Sequence, residues 1–360
     1  MKVAFVISSL LGGGAERVVS ILANSLVNRG IDVSIITNTL IKPAYRLEKN
    51  VAMLPFFASE SESKSRFRII RQIRTVRQYS KRNPEAIIVG VMPIMYMVTY
   101  LATRFTHQII VASDHTSFER PLKFHMRFIR DVLYKKANAV TMLTKADSDY
   151  VGSKYKNKWI MPNPLAYDCV SEVDSENRKK IILGVGRLDV WRVKGFDLLI
   201  EAWARIADKH DDWKLEIAGT GSDVSLNILK EKANECRIFD KVLFSGFHSN
   251  IDQLMRESSI FALTSRDEGF GLVLLEAMSQ GCACVSFDCG GRQKEIVNSG
   301  LDGYIIEGRN VDALAQRLDT LIKNESDRIR IAKNGIVRAK VFNKNNITDK
   351  WVTMFHLINK

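Results

Sequence analysis

Four charged residues in the second half of the chain have the types and spacing to hold a diphosphate and an adjoining sugar: Arg187, Lys194, Glu268 and Glu276. Arg187 lies in Gly184-Val185-Gly186-Arg187-Leu188, a glycine-bearing turn after an apolar run, and Lys194-Gly195 follows shortly after. Two fixed cations beside a helix start suit a diphosphate, because they neutralise both the bound ligand and a leaving group that gains charge. Taken alone, the pair fits two solvated surface cations near a turn better than a ligand grip. Glu268 and Glu276 bracket Gly269-Phe270-Gly271-Leu272-Val273-Leu274-Leu275. Glu268 falls in a glycine-bearing loop and Glu276 a turn or two inside an apolar helix, where a carboxylate is costly to bury without partners. A ribose diol would supply two donors, and the amides of Phe270, Gly271 and Leu272 at the helix start could hold phosphate. Helix capping and a salt bridge would account for these two carboxylates equally well.

The first half offers two further candidates. Leu11-Gly12-Gly13-Gly14-Ala15-Glu16 follows the first apolar run and opens a helical pattern, a place where free N–H groups favour phosphate. If Gly12 and Gly14 supply the G-x-G of a dinucleotide fingerprint, the third glycine's place is taken by Arg17, so an NAD site is not supported. In Ala112-Ser113-Asp114-His115-Thr116 a histidine stands at the end of a strand-like run, where ligands bind in open α/β sheets.

These residues need elements to position them. Val3–Ser8, Val33–Thr37, Ala86–Val89, Gln108–Ala112 and Ala139–Leu143 read as strands with helical stretches between, the pattern of a parallel, doubly wound sheet. Met161-Pro162-Asn163-Pro164 disfavours helix and strand alike and leads into the polar run Ser171–Lys180, so the linker falls there. The pattern then restarts: strands at Ile181–Gly184, Lys214–Ala218, Val242–Ser245, Ile260–Leu263 and Ala283–Phe287, with helices at Phe196–Lys209, Val224–Glu235, Ile251–Glu257, Leu272–Gln280 and Val311–Lys323. Asp349–Leu357 reads as a terminal amphipathic helix.

Bulk properties agree with two domains: 360 residues, 46% of them apolar. Five cysteines without a C-x-x-C pair suggest no disulfide framework and a reducing compartment. The start MKVAFVISSL reads as a buried strand rather than a signal peptide, and Val91–Ala102 is far too short to span a bilayer. Residues 1–180 hold 28 Lys and Arg against 15 Asp and Glu, so the whole net charge of +13 sits in that half. Such localisation suggests a polyanionic partner. Between Lys64 and Arg82, eight cations accompany Phe67, Ile70, Ile73 and Val76, as on one face of a helix, and a second basic stretch, Arg120 to Lys136, carries Phe124 and Phe128. A basic amphipathic helix suits an anionic leaflet. No nucleic-acid-binding signature is visible, so nucleic acid is not expected as a partner.

Gly13-Gly14-Ala15-Glu16, Gly186-Arg187-Leu188, Lys194-Gly195 and Ser265-Arg266-Asp267-Glu268 running on to Glu276-Ala277 occur in order across nearly the whole chain. Together they resemble the group 1 glycosyltransferases (family four), which have the GT-B fold. The resemblance implies two Rossmann-like domains facing across a cleft: residues 1–167 for the acceptor, residues 168–344 for the nucleotide sugar, and a terminal helix over 345–360 packing back onto the first. By the same resemblance, Arg187 and Lys194 grip the donor diphosphate and Glu276 the ribose. Glu268, with the backbone of Gly269, Phe270, Gly271 and Leu272, contacts the transferred sugar and its phosphates. Gly13 and Gly14 approach the donor from across the cleft, Gly246-Phe247 lies near the nucleobase, and His115 contacts sugar or acceptor. The family often has Glu before that histidine; here Asp114 stands there, and its role is left open.

The expected activity is retaining transfer of a sugar from a nucleotide-diphosphate sugar, UDP by preference, to a lipid-linked saccharide, with no cofactor and no metal. The expected location is cytoplasmic, peripheral to the inner face of the cell membrane and docked on anionic lipid. Two rivals are a nucleotide-sugar epimerase on the same architecture, which would convert donor with no acceptor present, and a non-catalytic anionic-lipid-binding protein.

Overall fold

A computed structural model describes residues 1–360, which divide into two compact units. The first comprises Met1–Ala166 with Asn343–Lys360, and the second Tyr167–Phe342. The first unit holds 28 Lys and Arg against 12 Asp and Glu, so the chain's positive excess belongs to it.

The first unit is built on seven parallel strands: β1 (Lys2–Val6), β2 (Asp32–Thr37), β3 (Ala52–Pro55), β4 (Ile87–Val91), β5 (Ile110–Ser113), β6 (Ala139–Met142) and β7 (Lys158–Ile160). Their order is β3-β2-β1-β4-β5-β6-β7. Runs such as Val3-Ala4-Phe5-Val6 and Ile87-Ile88-Val89 are buried throughout, as expected of strands covered by helices on both faces. The order reverses direction between β1 and β4, and a doubly wound sheet opens its ligand crevice beyond the carboxyl ends of the strands at such a point. The helix Met92–Thr103 leaves β4 there through Met92, whose φ of 70° is left-handed although it is not glycine.

The terminal helix Lys344–Ile358 belongs to this unit. Asn343 caps it by accepting from the Asn346 amide. Trp351, Met354 and Phe355 are buried on it, with Trp351 edge-on to Phe5 of β1 at 6.4 Å.

Residues 64–82 do not form the single helix expected. The helix Glu60–Lys64 ends, and a second, Arg68–Arg82, begins after Phe67. Nor do its apolar residues share a face: Val76 is fully buried, whereas Phe67 and Ile70 are about half exposed. A step of three residues falls about 60° short of a full turn, so three steps carry the stripe from core to solvent.

The second unit repeats the architecture with β8 (Lys179–Val185), β9 (Lys214–Ala218), β10 (Val242–Gly246), β11 (Ser258–Leu263), β12 (Ala283–Phe287) and β13 (Tyr304–Ile306). The parallel order is β10-β9-β8-β11-β12-β13, with the reversal between β8 and β11. Its core packs Leu199, Ile200 and Trp203 of the helix Phe196–Ala204 against Leu314, Leu318 and Leu321 of Val311–Lys323 and the strand residues Ile182, Leu215 and Ile260. All five cysteines are unpaired. Burial raises the Cys282 thiol to about 11 and that of Cys289 to about 12, so both stay protonated and inert. No helix is long and apolar enough to cross a membrane.

Candidate active site

Each sheet reversal sets two loops side by side. In the second unit the turn after β8 carries Arg187 and Lys194, and the loop after β11 carries Glu268 through Leu272. The Lys194 ammonium donates to Glu268 Oε1 at 2.6 Å, and the Ser265 hydroxyl donates to the same oxygen at 2.9 Å. Arg187 is exposed at the mouth of the β8 turn and makes no ion pair. One cation is therefore fixed by a carboxylate and a second stands in solvent.

The backbone between the two loops leaves no room for side chains. Gly195 has φ 68°, and a Cβ there would lie 1.8 Å from the Thr264 carbonyl oxygen. Gly219, after β9, would place one 1.8 Å from the Gly186 carbonyl oxygen. These glycines let the β8, β9 and β11 loops close on one another, joined by Gly186 N–H to Ala218 O and Arg266 N–H to Val193 O. Gly195→Ala is expected to force the β8 and β11 loops apart at a cost of at least about 1–3 kcal/mol. Thermal denaturation checks the stability, and titration calorimetry with UDP should show weakened binding.

Gly271, at φ 93°, caps the helix Leu272–Ser279. That left-handed turn aims the first free amides of the helix out of the loop, the arrangement that favours an anion. Phe270 anchors the loop, packed edge-on to Phe342 at 5.8 Å. Glu276, one turn further on, is 4% exposed. Arg266, quoted in the motif without a role, grips Asp197 through two bonds of 2.7 Å and so ties the β11 loop to the helix after Gly195. Gly246, at φ 71°, ends β10, its carbonyl accepting from the Gly219 amide, and leaves Phe247 74% exposed. An exposed aromatic beside a strand end can stack on a planar base.

Gly13, Gly14 and His115 lie in the first unit. Gly13 precedes the helix Gly14–Val27, and the Glu16 side chain curls back over it, occupying the space a Cβ would take. His115 follows β5. Its Nδ1 faces Asn163 Oδ1 at 3.3 Å, which can only accept, so Nδ1 carries the proton and Nε2 accepts from the Ser113 hydroxyl at 3.1 Å. Asn163, buried in the Pro162–Pro164 segment, is a partner that sequence reading missed.

Burial holds the His115 imidazole below its ordinary value of 6.5, against the opposing pull of the Asp114 charge and the Asn163 hydrogen bond. The unfolded chain therefore takes up a proton more readily than the folded one. The stability this neutral ring contributes is complete above about pH 6.5 and is lost as the pH falls below it. His115→Ala is expected to keep the fold, to lose most transfer activity and to flatten the acid side of the melting-temperature profile. Near-normal turnover would remove His115 from the site.

The role of Asp114 is visible. It is 1% exposed and accepts from Arg130 Nε at 2.8 Å, Arg130 Nη2 at 2.9 Å, the Tyr134 hydroxyl at 2.9 Å, and the amide and hydroxyl of Thr116 at 3.1 and 2.9 Å. Arg130 also donates to the Ser117 carbonyl at 3.0 Å. Asp114 thus locks the loop after β5, and its charge is fully committed inside the protein.

Comparison with known proteins agrees with this geometry. Residues 171–338 match the family described as "Glycosyl transferases group 1", and residues 12–165 match "Glycosyltransferase Family 4". An uncharacterised glycosyltransferase of Haemophilus influenzae is 27% identical, over 97% of this chain and 98% of its own. A Campylobacter jejuni enzyme named as an α-1,4-N-acetyl-D-galactosaminyltransferase acting on a diphospho-undecaprenol-linked saccharide is also 27% identical, over 98% of each chain. The crystal structure of Anabaena HepE in complex with UDP superposes with a TM-score of 0.81 at 20% identity, covering 99% of this chain and all of that one. Two parallel, doubly wound units, each matched by a glycosyltransferase family model, place the chain among the group 1 glycosyltransferases of the GT-B fold.

Proposed function

We propose that the enzyme transfers a sugar, with retention and without a metal ion, from a UDP-sugar to a lipid-linked saccharide in bacterial surface-glycan assembly. The observation that carries this reading is the Lys194–Glu268 pair, set beside exposed Arg187 where the loops after β8 and β11 adjoin. In this reading Arg187, Lys194 and the amides at Gly271 and Leu272 hold the diphosphate, Glu276 the ribose and Phe247 the base. As the sugar–phosphate bond breaks, the new glycosidic bond forms on the same face. The acceptor proton passes to the departing phosphate oxygen, and the two cations offset the charge that develops there. Side-chain cations do the work a divalent ion would otherwise do.

The relatives support the substrate classes. The Campylobacter enzyme is named for a diphospho-undecaprenol-linked saccharide, another relative for amylovoran biosynthesis in Erwinia amylovora, and HepE holds UDP. The excess charge of the first unit and the exposed Phe67 and Ile70 beside Arg66 and Arg68 support docking on the anionic inner face of the cell membrane.

Incubation with UDP-sugars and a prenyl-diphosphate-linked saccharide tests the reaction. The expected product has the donor's anomeric configuration by NMR, forms equally in EDTA, and requires the acceptor. Inversion or a metal requirement would overturn that part of the proposal, and donor conversion without acceptor would indicate epimerisation. Sedimentation with anionic vesicles at low salt tests docking, and no binding there would sink it.

A further inference from the structure

The first unit contains a cavity of about 1120 Å³ whose walls are not those of a sugar site. Four methionines, Met92, Met95, Met97 and Met126, line it together with Phe124 and Phe128. Sugar hydroxyls brought against such walls would lose their hydrogen bonds to water without replacement. Flexible thioethers and aromatic rings instead adapt to an irregular hydrocarbon.

Phe57, Ile69, Ile94 and Ile129 extend the apolar wall, and a polar part of the lining belongs to other elements. Ser8 follows β1, Asn38 follows β2, and Glu16 lies on the helix after β1. All three gather at the carboxyl ends of strands beside the β1–β4 reversal, the place where a doubly wound sheet takes its ligands. Arg68 lines the cavity from the basic helix and makes no ion pair. Apolar wall, free cation and polar strand ends therefore occur in one recess. Met92, held at φ 70° where β4 meets that recess, is the kind of strained residue that persists at functional sites.

We infer that this cavity seats the hydrocarbon tail of a phosphate-linked lipid acceptor, with the phosphate at Arg68 and the sugar toward Ser8, Glu16 and Asn38. The inference rests on the transferase reading and narrows it: the enzyme holds its acceptor by the lipid as well as by the glycan. A bilayer phospholipid fits less well, because Ser8 and Asn38, at strand ends that would receive a saccharide, line the recess. The volume also exceeds the roughly 300–1,000 Å³ common for small-ligand pockets, which leaves room for a chain beside a sugar.

Binding of farnesyl phosphate to the full-length chain, measured by calorimetry, tests this directly. Farnesyl phosphate should bind, farnesol more weakly and inorganic phosphate scarcely at all. Phe124 and Phe128 are exposed, so Phe124→Ser and Phe128→Ser should fold normally and weaken farnesyl phosphate by about tenfold each. Arg68→Ala should weaken farnesyl phosphate and leave farnesol unchanged. Absence of farnesyl phosphate binding, or binding indifferent to all three substitutions, overturns the proposal. So does exclusive binding to vesicles of equal parts phosphatidylcholine and phosphatidylglycerol. UDP binding, assigned to the second unit, separates the two readings. If UDP binds and farnesyl phosphate does not, only the tail site fails; if UDP does not bind, the UDP-sugar donor reading fails.

Discussion

Lys194→Ala is expected to lower kcat/KM for transfer by about 10²- to 10³-fold, the usual loss when one fixed group facing developing charge is removed. The ammonium is held 2.6 Å from Glu268 Oε1, in place before any diphosphate arrives. Alanine removes that positive charge and also leaves the Glu268 carboxylate, which still accepts from the Ser265 hydroxyl, facing an incoming dianion. Part of the loss is therefore repulsion, and Lys194→Ala combined with Glu268→Gln should bind UDP better than Lys194→Ala alone. Lys194→Arg should recover only part of the activity, because a planar fork does not replace a compact ammonium. The melting temperature should change little, since a partly exposed ion pair contributes about 0–1 kcal/mol. Steady-state kinetics within tenfold of the parent would remove Lys194 from the machinery.

Asp114→Ala is expected to cost about 3–5 kcal/mol of folding stability, a large share of the roughly 5–15 kcal/mol of a typical domain. Arg130 would be left buried with its charge uncompensated, and the Tyr134 and Thr116 hydroxyls would lose an acceptor. Asp114→Asn should be nearly as damaging, because the amide keeps the shape but not the charge. Replacing both partners together, Asp114→Leu with Arg130→Met, should recover much of the loss, since the desolvation of two charges disappears with them. Denaturant midpoints measure all three variants. An Asp114→Ala protein that is fully stable but inactive would mean the carboxylate serves chemistry instead.

The parts legible in the sequence were those set by local pattern. Lys214–Ala218, Ile251–Glu257, Ala283–Phe287 and Val311–Lys323 have the bounds that periodicity predicts. The expected division at 167/168 and 344/345 compares with units that part at 166/167 and 342/343. Short strands were missed: Ala52–Pro55, Lys158–Ile160 and Tyr304–Ile306 have too few residues to show a period. The helix Glu325–Ala339 escaped because Gly335 and its many charged residues blur the apolar stripe. The donor-side residues could be picked out because motif spacing keeps each on its own loop. The grip of Arg130 on Asp114 could not, because a carboxylate and a guanidinium sixteen residues apart on irregular backbone leave no pattern. The methionine-lined cavity was hidden for the same reason, since its walls come from separate helices and strand ends.

The terminal helix has a bearing on how the protein is made. Trp351 and Phe355 finish a core begun by Phe5, yet they are translated only after every codon of the second unit. On the ribosome the first unit must therefore wait, with part of its interior uncovered, while its neighbour is synthesised and folds. A premature stop among the codons for Asn343–Lys360 would spare the second unit and injure the first.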